Sequence, residues 1–233
     1  MLSSLEAELQ QLTNPEKAKE LSRFFKTGKG EYGEGDVFLG ITVPQQRKVA
    51  KKYKTLSLAE IEALLNSEIH EYRFTALVIL CDRFSKADRT TQTEIFQFYL
   101  DHSDRVNNWD LVDTSAYKIV GTFLYEQECS VLYDLARSQN LWQQRIAIIA
   151  TYYFIKRDRF VETLELAQIL LNHPHDLIHK AVGWMLREVG KRDKATEKAF
   201  LDEYAAQMPR TMLRYAIEKF SPDERKAYLQ QKS

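Results

Sequence analysis

The chain is expected to be all-α, a single curved stack of antiparallel helix pairs running over residues 1–233. Three observations predict this. Apolar residues recur at helical spacing, as in Leu77, Leu80, Cys81 and Phe84, or Ile146, Ile149, Ala150 and Tyr153. No stretch alternates as a half-buried strand would. Finally, Arg73, Trp109, Arg145, Lys180 and Arg214 follow one another in steps of 36, 36, 35 and 34 residues. The segments around them rhyme: Tyr72-Arg73-Phe74, Gln144-Arg145-Ile146, His179-Lys180-Ala181 and Leu213-Arg214-Tyr215. Such a period belongs to stacked helix pairs, each burying its apolar face against the next. Equivalent positions then share one surface, so a cation repeated at one phase is expected to form a positive stripe.

Helices are expected over 3–12 and 15–26, the second capped by Asn14 and opened by Pro15 in its first turn. Five of the eight glycines lie in residues 28–40 and mark one long loop. Pro44 opens the next helix, 44–54, and further helical periods cover 57–66, 69–84, 88–102, 107–125, 128–138, 141–156 and 160–172. Pro174 introduces 175–190, followed by 193–206. Pro209 introduces 210–219, and Pro222, with Ser221 as its cap, opens 222–230.

Composition bounds the function. With 44% apolar residues, a chain of 233 can bury a substantial core without staples. Cys81 and Cys129 lie in apolar helical contexts, which fits a reducing compartment and a cytoplasmic protein. The first residues lack the basic and apolar blocks of a signal peptide. The longest apolar stretch, 146–155, is interrupted by Thr151 and is too short to span a bilayer, so no membrane association is expected. The 33 basic and 33 acidic residues cancel. Bulk charge is therefore silent about nucleic acid, and the distribution of charge must decide.

Three motif-like features carry little chemistry. Residues 28–33, Gly-Lys-Gly-Glu-Tyr-Gly, match a dinucleotide-binding glycine pattern, but an amphipathic helix ending in Phe24-Phe25-Lys26 precedes them where a strand is required. A surface loop is the better reading. His173, His175 and His179 lack an acidic partner in a metal motif and read as capping or solvated groups, so no metal is expected. Tyr152, Tyr153 and Phe154 read as core packing on a buried helix.

Residues 108–113, Asn-Trp-Asp-Leu-Val-Asp, are different. Trp109 and Asp113 stand four apart, on one helix face, while Leu111, Val112 and Ala116 can supply the core contacts. An indole beside a carboxylate attracts cations through its ring face and through direct charge. Trp184, 75 residues further on, is followed three residues later by Arg187 on the same side of its helix. Two tryptophans, an acid and a row of cations suit a polyanion with a cationic centre.

These segments make the chain resemble the AlkD-like bacterial alkylpurine DNA glycosylases, built of HEAT-like helical repeats. The resemblance runs over nearly the whole length. It rests on residues 24–30 (Phe-Phe-Lys-Thr-Gly-Lys-Gly), 38–41 (Phe-Leu-Gly-Ile), 109–113, 141–147 (Leu-Trp-Gln-Gln-Arg-Ile-Ala) and 180–188 (Lys-Ala-Val-Gly-Trp-Met-Leu-Arg-Glu). It implies that Trp109, Trp184 and Asp113 are catalytic and that Arg145 contacts DNA. Arg187 and Lys156 would be backbone-contacting cations, and Lys180, from the stripe, is expected to bind DNA with them. Phe24 would be the cleft's N-terminal aromatic, where a tyrosine can occur. The implied substrate is alkylated double-stranded DNA, attacked by a monomer without cofactor or obligate protein partner, and without a pocket for the base. Two other readings suit the same fold. A non-catalytic DNA-binding relative has little use for the intact Trp109, Asp113 and Trp184. A protein-interaction scaffold calls for an apolar concave surface, where this chain repeats basic residues.

Overall fold

The computed structural model describes residues 1–230, and among them the secondary structure is helical apart from one isolated parallel bridge between Val37 and Ile69. The order is α1 (Leu2–Gln10), α2 (Pro15–Phe24), α3 (Val43–Ala50), α4 (Leu58–Leu65), α5 (His70–Lys86), α6 (Arg89–Asp101) and α7 (Trp109–Ala116). The chain of α7 runs on through a π-helical turn, Tyr117–Gly121, into α8 (Thr122–Leu124). Then come α9 (Ser130–Arg137), α10 (Leu141–Ala150), α11 (Tyr152–Ile155), α12 (Val161–Ile169), α13 (Asp176–Arg192), α14 (Lys194–Tyr204), α15 (Arg210–Ala216) and α16 (Pro222–Gln230). No helix among the described residues is long and apolar enough to cross a membrane.

Two compact units divide the chain, Met1–Ser115 and Ala116–Ser233, with the boundary inside α7. In the first, α5 is central and packs against α3, α4 and α6. It buries Leu77, Leu80 and Phe84 almost completely, each contributing about 1.5–3 kcal/mol. In the second, α10 packs against α9, α12 and α13, and α13 packs in turn against α14 and α15. The five periodic positions fall on α5, α7, α10, α13 and α15, and of these α5, α10, α13 and α15 pack against several neighbours or, for α15, closely against α13.

Caps explain most of the boundaries. Asn14 accepts the Lys17 N–H at 3.0 Å, and Ser57 with Glu60 and Ser221 with Glu224 form reciprocal boxes. Pro15, Pro44 and Pro222 lie in first turns, whereas Pro174 and Pro209 stand just outside α13 and α15. Two expected continuous helices are interrupted. Within 141–156 the Thr151 hydroxyl bonds back to the Ile148 carbonyl at 2.7 Å, and the helix breaks there. Within 107–125 the π turn widens the helix, and the Thr122 hydroxyl answers the Tyr117 carbonyl at 3.2 Å.

The expectation that Tyr152 and Tyr153 are simply core needs correcting. Phe154 is buried, but both tyrosines are half-buried with cations over their faces. The stripe also needs correcting at Arg73, which is interior and ion-paired. Periodicity told which helices face inward, and local neighbours decided where each charge went.

Close helix approach in the second unit depends on glycine. A Cβ on Gly121 would sit 2.1 Å from the Ala150 carbonyl oxygen, and one on Gly183 would sit 2.4 Å from that of Met212 and 2.6 Å from the Tyr215 Cβ. Alanine is the better helix former by about 1 kcal/mol. Gly183→Ala is nevertheless expected to destabilise the protein by about 1–3 kcal/mol, because α13 must move off α15. Urea unfolding measures this, and an unchanged midpoint would mean that the approach is soft.

Candidate functional site

The first unit's part of the site begins at the N-terminus of α5. The Glu71 carboxylate accepts the N–H groups of Leu39, Gly40 and Ile41 at 2.8–3.2 Å, and the His70 backbone N–H donates to the Val37 carbonyl at 2.9 Å. Both tie the end of the glycine-rich loop to α5. Beside them lies a buried charge network. Arg73 donates to Asp36 Oδ1 at 2.5 Å and to the Ser67 carbonyl at 2.7 Å. His70 bridges Asp36 Oδ2 (3.1 Å) and Asp110 Oδ2 (2.8 Å), and Asn108 Nδ2 donates to Asp36 at 3.1 Å. Burial alone would favour neutral His70, but the carboxylates of Asp110 and Asp36 outweigh it and push its pKa up to about 9. His70 is therefore an imidazolium at neutral pH and donates from both ring nitrogens. Burial works against the Asp36 carboxylate too, yet His70 and Arg73 hold its pKa below the usual range.

An aromatic stack grows from this network. Phe38 lies on the His70 ring at 4.6 Å, Phe25 stacks on Phe38 at 5.0 Å, and Trp109 stacks on Phe25 at 5.0 Å with only 8° between the rings. Phe24, 63% exposed, meets Trp109 edge-on at 5.8 Å. The Trp109 N–H is received by the Asn108 side chain at 2.8 Å. Trp109 and Asp113 are both half-buried on α7, while Leu111, Val112 and Ala116 are buried. Phe24, Trp109 and Asp113 thus lie in one unit, the first two in contact. Asp36, His70 and Asp110, which help hold them, were not among the sequence candidates, and Arg73 was expected only as a surface cation of the stripe. The one local signal was the density of ionisable residues at 69–73, which covers His70 and Arg73 but neither aspartate.

In the second unit, α13 buries Ile178, Ala181, Val182, Met185, Leu186 and Val189 and turns Lys180, Trp184 and Arg187 outward. The Trp184 indole N–H donates to Glu188 Oε1 at 3.1 Å, and its ring lies 5.8 Å from that of Tyr152. Lys180 pairs with Asp176 at 2.7 Å, and Arg187 with Glu218. Lys156 is exposed, with Nζ 4.4 Å from the centre of the Tyr152 ring. Arg145 is only 5% exposed and donates from Nη1 to the Leu177 carbonyl at 2.5 Å. Buried Glu197 lies in this unit as well, its pKa pushed up to about 8 by burial despite Lys194 and Arg187.

The glycine-rich loop is braced by its own acids, with the N–H of Gly28 donating to Glu31 and that of Gly30 to Glu34. It follows α2 and not a strand, so the context of a nucleotide fingerprint is missing. The three histidines make caps and local bonds: His175 Nδ1 accepts the Leu177 N–H at 3.1 Å, and His173 meets Gln144 at 2.8 Å. Among the described residues no group of three or more His, Cys, Asp or Glu is arranged to hold a metal.

Fold and site together describe an all-α repeat protein that presents tryptophans, a carboxylate and cations on its packing helices. The chain belongs to the DNA alkylation repair enzyme family, whose sequence profile matches residues 5–220. A repair role on DNA follows from that membership. Its fold is that of a predicted DNA alkylation repair enzyme from Enterococcus faecalis, with a TM-score of 0.70 and 18% identity over 90% of this chain and 97% of that one. AlkD2 from Streptococcus mutans is also similar, with a TM-score of 0.57 and 18% identity over 89% of this chain and 98% of the other. A search of curated proteins found none that matches.

The His70 network makes stability depend on pH. A histidine whose pKa is raised from 6.5 to about 9 on folding contributes about 3 kcal/mol that is complete below pH 6.5 and lost as pH climbs through about 9. The raised Glu197 adds a decline of the same sign, from pH 4.5 up to about 8. Urea unfolding of wild type should therefore weaken between about pH 6 and pH 9.5. His70→Gln should be less stable at the lower pH and lose much less over that interval. Parallel profiles for the two proteins would show that His70 is not charged in the fold.

Proposed function

We propose that this chain is a monofunctional DNA glycosylase of the 3-methyladenine/7-methylguanine type. It would hydrolyse the N-glycosidic bond of cationic N3- or N7-alkylated purines in duplex DNA without drawing the base into a pocket. The observation that carries this reading is α7. Its Trp109, clamped flat against Phe25, stands one helical turn from the half-buried carboxylate of Asp113, in a chain of the DNA alkylation repair family.

The chemistry asks for what these residues can supply. A purine alkylated at N7 or N3 carries a positive charge and leaves as a neutral base, so its departure needs no acid. Cleavage of glycosides with neutral leaving groups usually takes two carboxylates, one of them an acid; here one suffices. As the C1′–N bond breaks, positive charge builds on the sugar. Asp113 stabilises that charge and orients the water whose oxygen bonds to C1′, and the proton lost by that water passes to the carboxylate or to solvent. Trp109 and Trp184 hold the deoxyribose with their ring faces, an attraction that grows as the sugar becomes cationic.

Arg145, Arg187, Lys180 and Lys156 are proposed contacts to backbone phosphates, and Phe24 a contact to the strand beside Trp109. They do not start equal. Lys156 is exposed, Lys180 and Arg187 must exchange a carboxylate for a phosphate, and Arg145 must leave a mostly buried position. Selectivity would come from the charge and lability of the lesion, with neutral lesions poor substrates. The two units are proposed to work as one HEAT-like domain in a cytoplasmic monomer without a cofactor.

Single-turnover release of 7-methylguanine from a methylated duplex tests the assignment. Asp113→Asn should slow release by about 100-fold or more, the scale of losing a preorganised charge stabiliser. Trp109→Ala should slow it by about tenfold, as loss of the ring's attraction to the cation. Salt-sensitive DNA binding without release by the wild type would make this chain a non-catalytic binder.

A further inference from the structure

The second unit carries a cationic and aromatic cluster around Tyr152, which the sequence assigned to the core. Tyr117 and Tyr152 are 35 residues apart, one repeat, and their rings meet edge-to-face at 5.3 Å. Lys156 Nζ lies 4.4 Å from the Tyr152 centroid and 5.3 Å from that of Tyr117. Lys118 Nζ lies 5.5 Å from the same Tyr117 ring. Tyr117 and Lys118 open the π turn, whose wider coil narrows the angle between successive side chains and sets Lys118 beside the ring that precedes it.

We infer that Tyr117, Tyr152, Lys118 and Lys156 form a phosphodiester-binding site that grips the DNA backbone. This inference rests on the reading of duplex DNA as substrate. Two ammonium groups lie about one tyrosine ring, and neither makes an ion pair among the described residues, whereas Lys180, Lys191, Arg192, Lys194 and Lys198 of the same unit each meet a carboxylate. Like charges gathered this way repel. The ring faces offset part of that repulsion and hold the lysines in place; an anion offsets the rest. Phosphate suits the geometry, since two compact point charges match dispersed phosphate oxygens, while a planar carboxylate is better met by an arginine fork. A nucleobase would need an open ring face, and that of Tyr152 is covered by Lys156. The tyrosines act as positioning residues that spare the lysines part of the entropy lost on binding.

Fluorescence anisotropy with a labelled, unmodified duplex, titrated over about 50–200 mM salt, separates the roles. Each of Lys118→Gln and Lys156→Gln should flatten the slope of log affinity against log salt by about 0.9, and the double variant by about twice that. Tyr152→Leu should keep the slope and weaken binding about two- to fivefold, because the charge remains but its anchor is lost. Lys86→Gln, far along the chain in the first unit and paired with Asp82, serves as the charge control and should leave the slope as it is. A steep wild-type slope that the double variant leaves unchanged overturns this site and spares the duplex-DNA reading. Wild-type binding that does not respond to salt overturns both.

Discussion

Four charges beneath the aromatic stack, those of Asp36, His70 and Arg73 buried and that of Asp110 partly exposed, hold the first unit's part of the site in place. Arg73 and the His70 imidazolium balance Asp36 and Asp110, and Asn108 fills a remaining acceptor position. Breaking such a buried group by removing one member typically costs about 3–5 kcal/mol, since the partners are left charged and dry. The four charges come from three places: the end of the glycine-rich loop, the start of α5 and the start of α7. Pairing them sets the register of all three. On top of His70, Phe38 and Phe25 transmit that register to the Trp109 ring, and Asp113 follows one turn later on the same helix. The orientation of the tryptophan is thus a consequence of electrostatics two layers below it.

Cations at equivalent repeat positions meet different fates. Arg73 is consumed by Asp36 in the interior, Arg145 lies mostly buried on the Leu177 carbonyl, Lys180 is tied to Asp176 at the surface, and Arg214 is exposed. A repeat fixes which helix face a residue belongs to. Whether its charge is available for a ligand depends on which acids the neighbouring helices place beside it. The same logic separates Tyr152 and Tyr153 from Phe154. All three lie in an apolar run, but only Phe154 points fully inward, and the tyrosines serve as platforms for Lys156 and Arg157.

Much of the helical architecture was legible in the sequence because its causes are local. Asn14 with Pro15, Ser57 with Glu60 and Ser221 with Glu224 mark helix starts within four residues of each other. The break at Thr151 and the π turn after Ala116 were not legible, since each reflects a balance between nearly equivalent backbone hydrogen bonds. Of the candidate site, the shared face of Trp109 and Asp113 and that of Lys180, Trp184 and Arg187 could be read from helical spacing. The His70 network could not, because its partners lie 34 and 40 residues away.

From the sequence alone follow the helical class, the period of about 35 residues that places one packing helix in each repeat, and the pairing of Trp109 with Asp113. These depend on backbone geometry and the 3.6-residue turn, which neighbours along the chain already specify. The charge state of His70, the burial of Arg73 and the gathering of Lys118 and Lys156 around Tyr117 needed the fold. Ionisation and desolvation are set by every group within a few ångströms, whatever its distance in sequence.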